Sequence, residues 1–172
     1  MKGLSIPVSA QDHSQGPADA AITLVEYGDY QCPYCGEAYP MLKAVQQALG
    51  DRMRFVFRNF PISEIHPNAL PAARFAEAAA DAGLFWEAHD QLSQPQEAVS
   101  AHDLQAYAKQ LGVDPALLQA ADNGAFDDRI ERDFMGGVRS GVNGTPCLFI
   151  NGVRYDGARD VDSLVEVLTE LA

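Results

Sequence analysis

A chain of 172 residues is the size of a single domain, and at this length about 70% of the unfolded surface can be buried without metals or structural disulfides. A formal net charge of −12 excludes a nucleic-acid surface, which needs clustered Lys and Arg, and describes a well-solvated acidic exterior. A hydrophobic content of 47% excludes a disordered chain, and no apolar run approaches the roughly 20 residues of a membrane-spanning helix.

In chain order, Met1 to Val8 lacks the apolar stretch and small-residue cleavage site of a secretory leader. This predicts a cytoplasmic location, or a periplasmic or other extracytoplasmic one if a leader has been removed. Gln11 to Asp19 is polar, contains Gly16-Pro17 and reads as a surface approach to the first core strand. Ile22 to Tyr27 is nearly continuous in apolar residues, as in a strand covered on both faces. From Pro33 to Leu49, the residues Ala38, Met41/Leu42, Val45 and Leu49 recur at helical period, with Pro40 a predicted kink and Gly50 the stop. Met53 to Phe57 is a second strand, ending in Arg58-Asn59-Phe60-Pro61.

A long helical stretch follows. Asn68 is predicted to cap an Ala-rich helix to Ala82, stopped by Gly83, and Phe85, Ala88/His89 and Leu92 mark another. Ser100 and Asp103 form a capping box for a helix to Leu111, closed by Gly112, and Asp114-Pro115 opens a short one. Phe126, Ile130, Phe134 and Val138, four apart, predict a helix running back toward the core. Cys147–Ile150 and Val153–Tyr155 flank Asn151-Gly152, the strongest short hairpin signal, and a last helix follows. No repeat or internal boundary interrupts the chain, so residues 1–172 read as one domain.

Cys32-Pro33-Tyr34-Cys35 opens the first helix directly after the first strand. A helix start offers unpaired N–H groups and a positive dipole end, which stabilise a thiolate at Cys32. Two intervening residues bring Cys35 round one turn, close enough for a disulfide. Cys32, expected to be the more exposed, is therefore the candidate nucleophile, and Cys35 the resolving thiol. A zinc half-site would need two further patterned ligands, whereas Cys147 stands alone and His13, His66, His89 and His102 follow no metal spacing. A structural disulfide across four residues would remove little chain entropy. No metal or cofactor is expected.

Glu26 stands six residues before Cys32 in an otherwise apolar strand, where an ionised and unpaired acid costs several kcal/mol. It is either buried or turned to solvent at the strand end. Cys147 reads as a small core residue, with a third redox thiol as the alternative. Arg58 reads as a strand-end surface cation, with support of the thiolate as its alternative. The four histidines read as surface or packing groups, and Phe85 and Trp86 as core of the helical stretch.

With Gly144-Thr145-Pro146 before the hairpin, this arrangement resembles the DsbA-like thioredoxin-fold disulfide oxidoreductases over about Ile6 to Leu171. The resemblance implies an α/β thioredoxin fold with an all-helical insertion, residues 62–126, between its βαβ and ββα halves. It implies that Pro146 is cis and that substrate lies against Cys32, Tyr34 and the Thr145-Pro146 backbone. It further implies that Pro33-Tyr34 and Thr145 tune the redox potential, and that Glu26 is a buried acid exchanging protons with Cys35. The activity implied is exchange of disulfides with protein thiols, recharged by a redox partner, in a monomer or weak dimer with no bound cofactor and no membrane or nucleic-acid partner. Two alternatives are a reductase of small disulfides such as glutathione and a redox-switched, chaperone-like binding module. Cys147 departs from the family pattern, in which a small polar or apolar residue follows the proline.

Overall fold

The computed structural model describes residues 3–94 and 98–172, so Met1 and Lys2 of the leader reading lie outside the described residues. Five strands, β1 (His13–Gln15), β2 (Ile22–Gly28), β3 (Met53–Asn59), β4 (Cys147–Ile150) and β5 (Val153–Tyr155), form one sheet in the order β1-β3-β2-β4-β5. Its helices are α1 (Pro33–Leu49), α2 (Ala69–Asp81), α3 (Phe85–Ser93), α4 (Ala101–Leu111), α5 (Pro115–Asp122), α6 (Asp127–Arg139) and α7 (Val161–Leu171). β2 and β3 run parallel with α1 as their crossover, while β1, β4 and β5 pair antiparallel to their neighbours. This is the expected α/β thioredoxin-like fold, with α2 to α5 interposed between β3 and α6.

Alternation along the strands sorts side chains onto the two faces of the sheet. Ile22 and Leu24 of β2, Phe55 and Phe57 of β3, and Leu148 and Ile150 of β4 join the larger core, with Leu42 and Val45 of α1 and Leu164 and Leu168 of α7. Val25, Tyr27, Val56, Cys147 and Phe149 point the other way, into a second core with Phe60 and Phe134. By the same alternation, Glu26 stands on the larger core's face and Cys147 on the opposite one.

Most element positions follow the local signals. Gly50 and Gly112 end their helices at positive φ, Ser100 and Asp103 form the capping box, and Asn151-Gly152 turns the hairpin with both residues at positive φ. α1 runs through Pro40 to Leu49 without interruption.

Four readings need correction. The polar approach contains β1, which pairs with β3 although its sequence has no apolar alternation. Asn68 makes no side-chain cap; instead its backbone N–H donates to Gln31 Oε1 at 2.7 Å. The buried face of α6 is Ile130, Asp133, Gly136 and Gly137, and Val138 is exposed. Glycine is needed at position 137 because a Cβ there would lie 2.8 Å from the Phe60 ring and 3.0 Å from that of Tyr27.

The fourth correction concerns Arg58, which is neither a surface cation nor a partner of the thiols. It is 2% exposed and holds Asp12 through two hydrogen bonds of 2.9 and 3.0 Å. It also donates to the Tyr27 hydroxyl at 2.9 Å and to the Ile6 and Pro7 carbonyls. Arg58 thus fastens residues 6–12 across the second core. Arg58→Met is expected to destabilise the protein by about 3–5 kcal/mol in urea unfolding, because Asp12 is left without its cation. The Cys32 thiolate absorbance should not move.

Candidate active site

Cys32 is the N-cap of α1 and Pro33 its first residue, so the amides of the first turn converge on the Cys32 sulfur and no acidic side chain competes for them. Its sulfur also lies against the loop before β4, donating to the Thr145 carbonyl at 3.5 Å, and the Thr145–Pro146 peptide is cis. The Cys32 thiol is lowered to about 5 from an ordinary value near 9. The largest contribution is a hydrogen bond from Cys35; the Thr145 side chain and the Cys35 and Tyr34 backbone add to it, against partial burial.

Cys35 is driven the opposite way, well above 9. Donating its proton toward Cys32 is the largest cause, followed by burial and the nearby charges of Glu26 and Cys32. The expected difference in exposure is absent, since Cys32 is 4% and Cys35 8% exposed. Electrostatics, rather than access, distinguishes the two thiols, because one sits at the helix end and the other faces the core.

Glu26 is the acid that the core-facing side of β2 presents behind Cys35. It is 5% exposed, and burial pushes it up to about 8, with Arg159 pulling down and Cys32 pushing further up. The alternative of a solvent-turned acid is thereby removed. Pro33 and Tyr34 are exposed, Tyr34 at 68%, while Pro146 is buried and Thr145 half-buried beneath them. Cys147 is 2% exposed, and its side chain belongs to the second core, across the sheet from Glu26.

Sequence reasoning missed the residues that hold this site in place. Asp29 is buried and accepts from the backbone N–H of Gln31 at 2.7 Å and of Ile62 at 2.9 Å; its Oδ2 lies 2.8 Å from His66 Nδ1. Phe60 N donates to the Gly28 carbonyl, and Asn68 N to Gln31. The segment before Cys32 is thereby stitched to the loop from Phe60 to Asn68. His89 is also at the site: it is 4% exposed, and its Nδ1 lies 2.9 Å from the Tyr30 hydroxyl. An isolated Asp or His carries no periodic or spacing signal, so only the fold could reveal these roles. On the far side of the same loop, Pro61, Ile62, Leu70, Ile130 and Phe134 line an open apolar groove of about 480 Å³.

The pattern of the thioredoxin family matches residues 9–170. The chain belongs to this family. Solved structures similar to it include BdbD of Bacillus subtilis in its oxidised form, with TM-score 0.82 and 25% identity over 99% of this chain and 96% of that one. Wolbachia pipientis α-DsbA1 superposes with TM-score 0.81 at 17% identity, covering 97% and 93% of the two chains. A periplasmic thioredoxin-like protein of Salmonella enterica serovar Typhimurium gives 0.76 at 24% identity, covering 93% and 89%. The structure is thus like that of thiol-disulfide oxidoreductases.

Curated relatives carry a different name. A protein named Na⁺/H⁺ antiporter NhaA 1 from Salinispora arenicola is 42% identical over 96% of this chain but only 26% of its own length. One named NhaA from Herminiimonas arsenicoxydans is 38% identical, with the same two coverages. The chain spans about a quarter of these relatives, and no helix among the described residues is long and apolar enough to cross a membrane. Cytoplasmic residence finds no support among the similar proteins.

Two titrations check the site. The thiolate absorbance near 240 nm of the reduced protein should rise with a midpoint near pH 5 and vanish in Cys32→Ser. Glu26 keeps its proton up to about pH 8 when folded but ionises near 4.5 when unfolded, so stability falls as pH rises between those values. Glu26→Leu should therefore raise unfolding stability at pH 8, with a ceiling on the order of 3–5 kcal/mol, and have little effect at pH 4.

Proposed function

We propose that the chain exchanges disulfides with protein substrates through Cys32 and Cys35, acting as one unit with residues 62–126 as its helical insertion. The opposite displacement of two thiols one helical turn apart carries this reading. Cys32, ionised at neutral pH in the dithiol form, attacks a sulfur of a substrate disulfide; in the Cys32–Cys35 disulfide form it instead receives the attack of a substrate thiolate, with Cys35 as the leaving thiolate. In the former case Cys35, protonated until needed, then closes on the Cys32 sulfur of the mixed disulfide and releases the substrate thiol. Glu26, once it has released its own proton, takes that of Cys35, and no bound cofactor enters the exchange.

Substrate is read as an extended chain lying on the Thr145-Pro146 backbone, with Pro33 and the exposed Tyr34 ring as its other wall. Stabilising the Cys32 thiolate stabilises the dithiol form, which makes the couple oxidising. An oxidising couple works where thiols are not held reduced, so we place the activity outside the cytoplasm, recharged by a separate redox partner. The resemblance to a periplasmic protein at 24% identity agrees with that placement.

A second reading, a redox-switched binding module, is favoured by the 480 Å³ apolar groove, which could hold a client without chemistry. Substituting Cys32→Ser separates the two. Loss of turnover on a disulfide-bonded peptide together with loss of capture supports the enzyme; client binding of wild-type strength in that variant supports the module. Equilibration with glutathione should place the couple between about −270 and −120 mV, because its thiol lies between the roughly 7 of thioredoxin and 3.5 of DsbA. A value at or below −270 mV would mean a reductase, and preferential turnover of glutathione disulfide would make it one for small substrates.

A further inference from the structure

The Cys35 proton starts from an enclosed place. Cys35 and Glu26 are both buried, and Glu26 is flanked on the sheet by Phe57 and Leu148. A buried acid exchanges its proton with solvent only along polar atoms or water, since apolar packing conducts none. Behind Cys35 lies a cavity of about 10 Å³, lined among others by Glu26, Cys35, Tyr30, Tyr39, His89 and Ser93. That is room for the centre of a single water.

Two hydrogen bonds frame this space. The Tyr30 hydroxyl lies 2.9 Å from His89 Nδ1, wholly buried. The Tyr39 hydroxyl donates to Asp90 Oδ1 at 2.7 Å, and Asp90, partly exposed, also lies 3.3 Å from Lys43 Nζ. The inner wall is thus formed by β2, α1 and the loop between them, and the outer wall by His89 and Ser93 of α3.

We propose that this cavity is the proton outlet of the resolving thiol, leading from Cys35 and Glu26 past the Tyr30–His89 pair to Tyr39 and Asp90 at the surface. His89 and Ser93 are its positioning residues. The inference rests on the reading of Glu26 as proton acceptor and deepens it. The outlet first carries the Glu26 proton to solvent, and in the step served the Cys35 S–H gives its proton to the carboxylate so formed. The Cys35 sulfur forms a bond to the Cys32 sulfur, and the bond from Cys32 to the substrate sulfur breaks, its electron pair leaving with the substrate as a thiolate. Glu26 is then a neutral acid, and the outlet returns its proton to solvent before the next cycle.

His89 is not a resting place for that proton. Burial lowers it to about 3, so its ring stays neutral and serves to hold Tyr30. Tyr39, raised to about 12, likewise keeps its proton and passes it only by exchange along the hydrogen bond. The titratable groups facing the chamber are Glu26 of β2, Cys35 and Tyr39 of α1, Asp29 and Tyr30 of the loop between them, and His89 of α3; Cys32 acts on Glu26 from the N-cap of α1 and Arg159 from the loop before α7. Glu77, Asp90, Asp133, Lys43 and His13 act on Tyr30 or His89 from further away.

The test is single-turnover resolution of a mixed disulfide between Cys32 and a labelled peptide thiol, followed from pH 5 to 9 in H₂O and D₂O. Ser93→Val removes the inner hydroxyl, Tyr39→Phe removes only the outer one, and Ser93→Thr, with the volume of valine, keeps a hydroxyl. Resolution should slow at least ~10-fold in Ser93→Val and several-fold in Tyr39→Phe, with a larger solvent isotope effect and a shifted pH profile, and recover in Ser93→Thr. Combining Ser93→Val with Glu26→Gln should be no slower than Glu26→Gln alone. Wild-type rates and profiles in both Ser93→Val and Tyr39→Phe, with Glu26→Gln slow, would overturn the outlet alone, as would multiplicative slowing in the double variant. A wild-type rate in Glu26→Gln would overturn the acceptor role itself.

Discussion

The site depends on a proton shared unequally between two sulfurs. At the start of α1 the Tyr34 and Cys35 amides, the Cys35 hydrogen bond and the Thr145 side chain all favour charge on Cys32. One turn further in, burial and the same hydrogen bond favour the neutral thiol at Cys35. Each sulfur helps to set the other, so the pair behaves as one coupled group. The donor and acceptor states needed for exchange are therefore present before any substrate arrives.

This division needs β2 as much as it needs the helix. The alternation that sends Val25 and Tyr27 into the second core sends Glu26 toward α1, directly behind the resolving thiol. The cost is a buried acid held up at about 8, an unfavourable contribution to folding at neutral pH. Two large cores, with Tyr27, Phe75, Phe149 and seven fully buried Ile and Leu side chains among their members, offset it. The same alternation keeps Cys147 on the far face, which separates the third thiol from the redox pair although it follows Pro146 directly.

Rigidity around the pair comes from the helical segment. The stretch Gly28 to Gln31, which aims Cys32, is hydrogen-bonded to the loop leading into α2 through Asp29 and Gln31. α3 closes the chamber behind Cys35 with His89 and Ser93. On the opposite side, Asp133 of α6 accepts from the Asn59 backbone of β3 at 3.0 Å, and Gly137, with no Cβ, lies against the Phe60 and Tyr27 rings.

Local signals were sufficient for much of this chain. The helix around Pro33–Leu49, the strands β2 and β3, the Asn151-Gly152 hairpin, the Ser100 capping box and the CxxC motif are written in nearest-neighbour chemistry: period, caps, positive-φ turns and a helix end. Glu26 was conspicuous because a charged residue interrupts an apolar run. Other features had no such local mark. β1 is a strand only because β3 offers it an edge, and Arg58 is buried only because Asp12 returns to meet it across 46 residues of chain. Asp29, His66 and His89 join the site through partners 33 to 59 residues away, so their roles depend on distances that no window of sequence contains. The residues by themselves determined which chemistry is possible here, because helix ends, thiols and turns act locally. Tertiary structure alone decided which acid, hydroxyl and ring face that chemistry, because burial and contact belong to the packed chain.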